Sequence, residues 1–263
     1  MDWSVLMVKE TTLTEDEFLS GRIRIMQPRK GFRAGIDTVL LAASVDTAST
    51  HVAELGAGVG VAACCVLADL AAAEATLVDF DACVLALAEK NLERNGFAKR
   101  AKTLLFDVTA KGSVREEAGM RSNCHTSVIA NPPFFDISAG TLSPRTARAD
   151  SRHMQNDDLD DWVRCAASCA SAGAEIIFIY SIVALPRLLA SFSVRFGDIS
   201  VLPISSRPGQ KASRVLVRGI KGSRAPMSLL APLVLHGMTG SAYSEEADAI
   251  FRGKSRISWK NVQ

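Results

Sequence analysis

No uninterrupted apolar run in the sequence approaches the ~18 to 20 residues that a membrane-spanning helix requires, and this argues against an integral membrane protein. The opening segment MDWSVLMVKE carries Asp2 and Glu10 where a secretion signal would be basic, so the expected location is the cytoplasm. Paired cysteines are missing as well. Cys64, Cys65, Cys83, Cys124, Cys165 and Cys169 form no C-x-x-C pair, and no His or carboxylate cluster at ligand spacing accompanies them. Free buried thiols are therefore expected, with neither a disulfide framework nor a metal site. Internal repeats and low-complexity linkers are also lacking.

Acidic residues are absent from two stretches. None lies between Ile199 and Ser244, where Arg207, Lys211, Arg214, Arg218, Lys221 and Arg224 are all basic. None lies between Arg22 and Arg33, which hold Arg24, Arg29 and Lys30 between them. In a chain whose net charge is only +2, such segregation points to a surface facing a polyanion, because each phosphate contact releases a counterion. The alternative is an ordinary solvated face.

With 263 residues, 48% of them hydrophobic and 22% charged, the chain can bury one full α/β core. Apolar runs alternate with helical patterns, as in βαβ units around a mostly parallel sheet. HVAELGAG reads as a strand ending in a glycine turn, followed by the helix VAACCVLADLAA. ATLVDFD is a second strand, ACVLALAEKNLERNG a helix stopped at Asn95-Gly96, and KTLLFDV a third strand. After a polar insert from Lys111 to Arg121, TSVIANPPFF is a strand that two prolines must end. DDLDDWVRCAASCAS is a helix closed by Gly173 before the strand EIIFIYS, and LPRLLASFSVRFG is a further helix. ISVLPIS and SRVLVRGIK then form an antiparallel pair at the sheet edge, with LLAPLVLHG as a last short apolar segment. The expected organisation is a single domain, with an N-terminal extension over 1–50, a catalytic core over 51–240 and a tail over 241–263.

The turn Glu54-Leu55-Gly56-Ala57-Gly58-Val59-Gly60 sits at a strand-to-helix junction, where glycines let a ligand approach the backbone. Its G-x-G-x-G spacing departs from the G-x-G-x-x-G of nicotinamide enzymes. Asp79, 19 residues beyond Gly60 at the next strand end, can accept ribose hydroxyls of an adenosine-containing cofactor, and Phe80 can lie against its adenine. Asp107, at the third strand end, is placed to read the adenine amine. Any one of these acids could instead be a helix cap.

Asn131-Pro132-Pro133-Phe134 ends a strand at the carboxyl edge of the sheet, where open α/β folds bind ligands. An exocyclic base amine is a poor nucleophile because its lone pair is delocalised into the ring. Accepting its N–H groups on the Asn131 side-chain oxygen and the Pro132 carbonyl favours a pyramidal nitrogen and restores that lone pair. The prolines fix the loop, and Phe134 offers a ring for an extruded base.

These residues resemble the class I methyltransferases, with ELGAGVG as cofactor loop, LVDFD as ribose strand and NPPFF as amine-methylating motif. FRAGIDTVLLAAS and SRHM further resemble the bacterial tRNA(Val) adenine-37 N(6)-methyltransferase family, over roughly Gly31 to Gly240. The resemblance implies a Rossmann-like fold with a mostly parallel sheet and an antiparallel edge hairpin, S-adenosylmethionine as cofactor, and an adenine in tRNA as substrate. It assigns Gly56, Gly58 and Gly60, together with Glu54, to the methionine pocket, Asp79 to the ribose and Asp107 to the adenine. Gly35 and Asp37 close the cofactor site from the N-terminal side. Asn131, Pro132, Pro133 and Phe134 hold the target amine, and Arg145, Arg148 and Arg152 meet phosphates beside it. Arg218, Lys221 and Arg224 in the basic stretch extend that RNA contact. Phe134 stands where that family has Tyr and Met154 where it has Glu. Phenylalanine after N-P-P also occurs in enzymes that methylate guanine in ribosomal RNA, so both bases stay open. Other readings are a protein-glutamine methyltransferase, whose N-terminal helical domain has no counterpart here, and a non-catalytic RNA-binding module.

Overall fold

A computed structural model describes residues 13–30, 33–133 and 158–259. Four parallel strands build the half of the sheet that carries the motifs: β3 (His51–Leu55), β4 (Glu74–Asp79), β5 (Ala101–Leu105) and β6 (His125–Ala130). Each is buried along most of its length except the edge strand β5, which matches the apolar runs read from sequence. β7 (Ala170–Ser181) continues the parallel set beside β6. β8 (Phe196–Ser205) and β9 (Arg214–Lys221) form the expected antiparallel pair, with β9 inserted between β7 and β8. The order is β5-β4-β3-β6-β7-β9-β8, completed by the two-residue strands β10 (Ser228–Leu229) and β11 (Leu233–Val234), both parallel to β8. Strand order reverses between β3 and β6, and the crevice at such a switch point is where open α/β sheets bind ligands.

Helices cover both faces. α1 (Ile36–Ala43), α2 (Val61–Asp69) and α3 (Ala82–Arg94) share one apolar cluster, while α5 (Asp158–Cys169) and α6 (Leu185–Ser193) share the other. The segment expected to be a polar insert holds a short helix, α4 (Gly112–Glu117). Gly173 does not separate α5 from β7, because the strand begins at Ala170, which pairs with His125. Two of the six thiols, Cys83 and Cys124, are exposed rather than buried.

The first basic run has a structural use. It begins in a hairpin of β1 (Leu13–Phe18) and β2 (Ile23–Pro28) that packs on α2 and α3, and continues past the end of β2. Arg22 pairs with Asp69, Arg24 with Glu17 and Arg33 with Asp16. Three of the five cations therefore meet carboxylates of the chain itself and Arg29 donates to the Leu13 carbonyl, so most of the run is used internally, against the expectation of a polyanion-facing stretch. Asn91, fully buried, ties β2 to the glycine loop by donating to the carbonyls of Met26 and Val59.

At the other end, α7 (Glu245–Phe251) and the segment after it pack on α1. Arg256 donates to the carbonyls of Ala42 and Val45, the Ile257 amide to Ala43, and the Trp259 indole to Ser44. These carbonyls belong to the last turn of α1 and the residues after it, where helices leave acceptors without intrahelical partners.

Candidate active site

Because β3, β4, β5 and β6 run parallel, Gly56, Asp79, Asp107 and Asn131 all emerge at one carboxyl edge. The glycine turn passes through left-handed backbone at Gly56, Gly58 and Gly60, with φ of 67°, 57° and 81°. Two of these glycines are also required by packing: a Cβ at Gly56 would lie 2.5 Å from Trp162, and one at Gly60 2.8 Å from Leu77. At Gly58 a Cβ would meet nothing within 4 Å, which leaves an open backbone face at the head of α2. That space is where a ligand can approach the amides.

Two carboxylates stand behind the loop. Asp79, 6% exposed, accepts from the Gly58 amide at 2.9 Å and the Asp81 amide at 3.0 Å, locking the turn to the end of β4. Glu54, 5% exposed, accepts from the Ala63 amide at 2.8 Å in the first turn of α2. Burial pushes its carboxyl up to about 8, the Ala63 N–H opposes this, and neighbouring Asp79 adds to it. Phe80, 64% exposed beside Asp79, offers an uncovered ring. Asp107 is exposed and folds onto its own chain, accepting from the Thr109 amide and hydroxyl at 2.8 and 2.7 Å. Asp37 pairs with Arg214 at 3.1 Å, joining the start of α1 to the start of β9. At Gly35 a Cβ would find open space, and its φ of −143° is one that any residue adopts.

Asn131 follows β6 directly. Its side-chain oxygen is buried and has no hydrogen-bond partner among the described residues. A buried acceptor left unpaired costs about 1–3 kcal/mol, and such atoms recur at catalytic positions. Pro132 is buried and Pro133 exposed. The Tyr180 hydroxyl donates to the Pro133 carbonyl at 3.3 Å, bracing the loop from β7. Phe134, Arg145, Arg148 and Arg152 lie outside the described residues.

The second basic run divides because β9 is antiparallel to its neighbour β7. Arg214 opens β9 at the site edge, paired in register with Ser181, while Lys221 closes it opposite Phe196. Seven residue steps of ~3.4 Å put Lys221 some ~24 Å from that edge, and Arg224 follows beyond the end of the strand. Lys221 donates to the carbonyls of Ala167 and Ala170 and to the Asn123 side chain, and so caps α5. Arg218 bonds Glu175, itself 3% exposed, at 2.8 Å, and its guanidinium lies over the Trp259 ring. Arg218 and Lys221, expected on an RNA-facing surface, thus face internal partners, and exposed Arg224 stands on the far edge.

Two site-supporting residues escaped sequence reasoning. Trp162 packs on Gly56 from a helix distant in sequence, and nothing local announced it. Tyr180 left a trace as the one polar-tipped aromatic in the strand segment EIIFIYS.

Residues 33–147 match the Methyltransferase small domain family. A solved structure from Agrobacterium tumefaciens, described as a predicted O-methyltransferase, is 31% identical, covers 84% of this chain and 98% of its own, and has a TM-score of 0.71. The chain belongs to the S-adenosylmethionine-dependent methyltransferases. The methyltransferase is also 30% identical over 167 residues to a Shewanella pealeana protein named Ribosomal RNA small subunit methyltransferase C. That match covers 63% of this chain and spans 40% of the length of that relative. A T. thermophilus 16S rRNA N2 methyltransferase, solved with AdoMet and guanosine, shares the fold at 18% identity, a TM-score of 0.52, and coverage of 80% of this chain and 50% of its own. The residues present fit the cofactor: an open backbone face at Gly58, a carboxylate fixed behind it and an exposed ring beside that carboxylate.

Proposed function

We propose that this methyltransferase acts on the exocyclic amine of a nucleobase in RNA, with an adenine of tRNA, at position 37 of tRNA(Val), as the first candidate. The observation that carries the reading is the buried Asn131 oxygen at the end of β6, without a partner among the described residues and one strand from the glycine turn. An N–H donor satisfies that acceptor, and an amine whose lone pair is delocalised is the nucleophile that gains most from it. S-adenosylmethionine, when bound, supplies a methyl group already electrophilic on its sulfonium, so alignment can replace strong base catalysis.

In this reading Glu54, Gly56, Gly58 and Gly60 shape the methionine pocket, Asp79 takes the ribose, and Phe80 and Asp107 take the adenine. Gly35 borders that pocket from α1, which Asp37 anchors. Asn131 with Pro132 holds the amine, Pro133 stiffens the loop, Phe134 stacks on the base, and Arg145, Arg148 and Arg152 neutralise adjacent phosphates.

A second reading, N2 methylation of a guanine in ribosomal RNA, is favoured by the Shewanella relative's name and by Phe134 after the two prolines. Transfer from labelled S-adenosylmethionine into unmodified bulk tRNA and into 16S rRNA, followed by nucleoside analysis, separates them. N(6)-methyladenosine in tRNA supports the first, and N(2)-methylguanosine in rRNA the second. Label that persists in Asn131→Ala, or label in neither RNA, overturns the proposal.

A further inference from the structure

The hairpin loop between β8 and β9, residues 206–213, stands at the same carboxyl edge as Asn131. Ser181 and Arg214 are paired in register, and the Ile182 amide donates to the Ser213 carbonyl, so the loop begins where β7 leaves the sheet. Tyr180, one residue earlier in β7, touches the Pro133 carbonyl. With strands ~4.8 Å apart, β9 and β8 lie about 10 and 14 Å from β6. Lys211 is exposed in this loop, and no acidic residue occurs from Ile199 to Ser244.

The loop is braced. Arg207 donates to the carbonyls of Gly237 and Gly240, and the His236 amide to Ser206, which ties residues 206–213 to the segment 236–243 after β11. That segment is closed by a bridge between His236 and Tyr243, whose rings stack with centroids 4.9 Å apart. Met238 protrudes from it, 74% exposed. Because β11 runs parallel to β8, this segment also lies at the carboxyl edge. A stiff rim with an exposed lysine, a buttressed arginine and an exposed apolar tip therefore borders the crevice on the side away from β3, β4 and β5.

We infer that this rim, residues 206–213 with 236–243, carries the RNA strand adjoining the target base, Lys211 being a positioning residue that neutralises a phosphate. The inference rests on the RNA reading above, and it places the contact at this edge instead of at Arg218, Lys221 and Arg224. Single-stranded RNA is held by cations together with aromatic rings on which bases stack, and the stacked His236 and Tyr243, the latter 41% exposed, supply such rings in this rim.

The test compares full-length wild type with Lys211→Glu, Lys211→Ala and Arg224→Glu, a far-edge control with the same charge change as the first. Binding of unmodified bulk tRNA and of 16S rRNA is measured across a salt series, with S-adenosylmethionine affinity as the check on folding. Lys211→Glu is expected to weaken binding of the RNA that wild type methylates roughly fivefold and to raise its KM with kcat held. Lys211→Ala is expected to lower the salt slope by about 0.7–0.9. Arg224→Glu should match wild type. Wild-type affinity and slope in both Lys211 variants, or an equal loss in Arg224→Glu, overturns the rim while leaving the RNA reading standing. A wild type that neither binds nor methylates either RNA removes both.

Discussion

Asn131 combines a buried acceptor with the absence of a described partner, and this separates its two possible uses. If the side chain served the fold, its removal would cost stability. As a catalytic acceptor it instead leaves an unsatisfied polar atom in the resting protein. Asn131→Ala is therefore expected to abolish methyl transfer while keeping stability within about 1 kcal/mol of wild type, as read by denaturant unfolding. Gly56→Ala should behave oppositely. It places a Cβ against Trp162 on left-handed backbone, for a loss of roughly 2–4 kcal/mol together with cofactor affinity. Glu54 gives a pH signature. Its carboxyl is raised from 4.5 to about 8 by burial, so between those values the folded protein holds a proton that the unfolded chain has released. This contribution makes stability fall as pH rises from about 5 to 8 and then level off, by a few kcal/mol at most. Glu54→Gln should flatten that decline; an unchanged slope between pH 5 and 8 in denaturation midpoints would count against it.

Among elements, β9 holds the main lesson about what a sequence discloses. The glycine turn, the acids at successive strand ends and the Asn-Pro-Pro stop were legible because each strand is a short apolar run ending in residues that cannot extend it. The direction of β9 within the sheet settles which of its cations reach the crevice, and direction leaves no mark in a local pattern. Nor do long-range partners: Arg214 meets Asp37 across 177 positions, and Arg218 meets Glu175 across 43. A charge run whose partners lie that far away looks unneutralised when read along the chain. Arg218→Ala isolates a carboxylate that is 3% exposed and that also accepts from the Asp46 amide. A loss of about 3 kcal/mol is expected, with S-adenosylmethionine affinity near wild type in the surviving folded fraction. The same argument makes Lys221 the cap of α5, whose Trp162 seats the glycine loop.

At the scale of the whole molecule, the segment after α7 packs back onto α1. Arg256 pairs with Asp69 and donates to two α1 carbonyls, while burial holds its pKa below the ordinary arginine value. Arg256→Ala should cost roughly 3 kcal/mol, seen as a fall of several degrees in Tm. The contact between Arg256 and Ala42 spans 214 positions. During synthesis, α1 is complete long before its last carbonyls can meet these donors, so the helix that begins beside the crevice waits for a residue made 214 positions later. Over that interval the strands that carry the glycine turn and Asn131 are already made while α1 remains open at its far end, so the last turn of α1 is closed after the half of the sheet that bears the motifs.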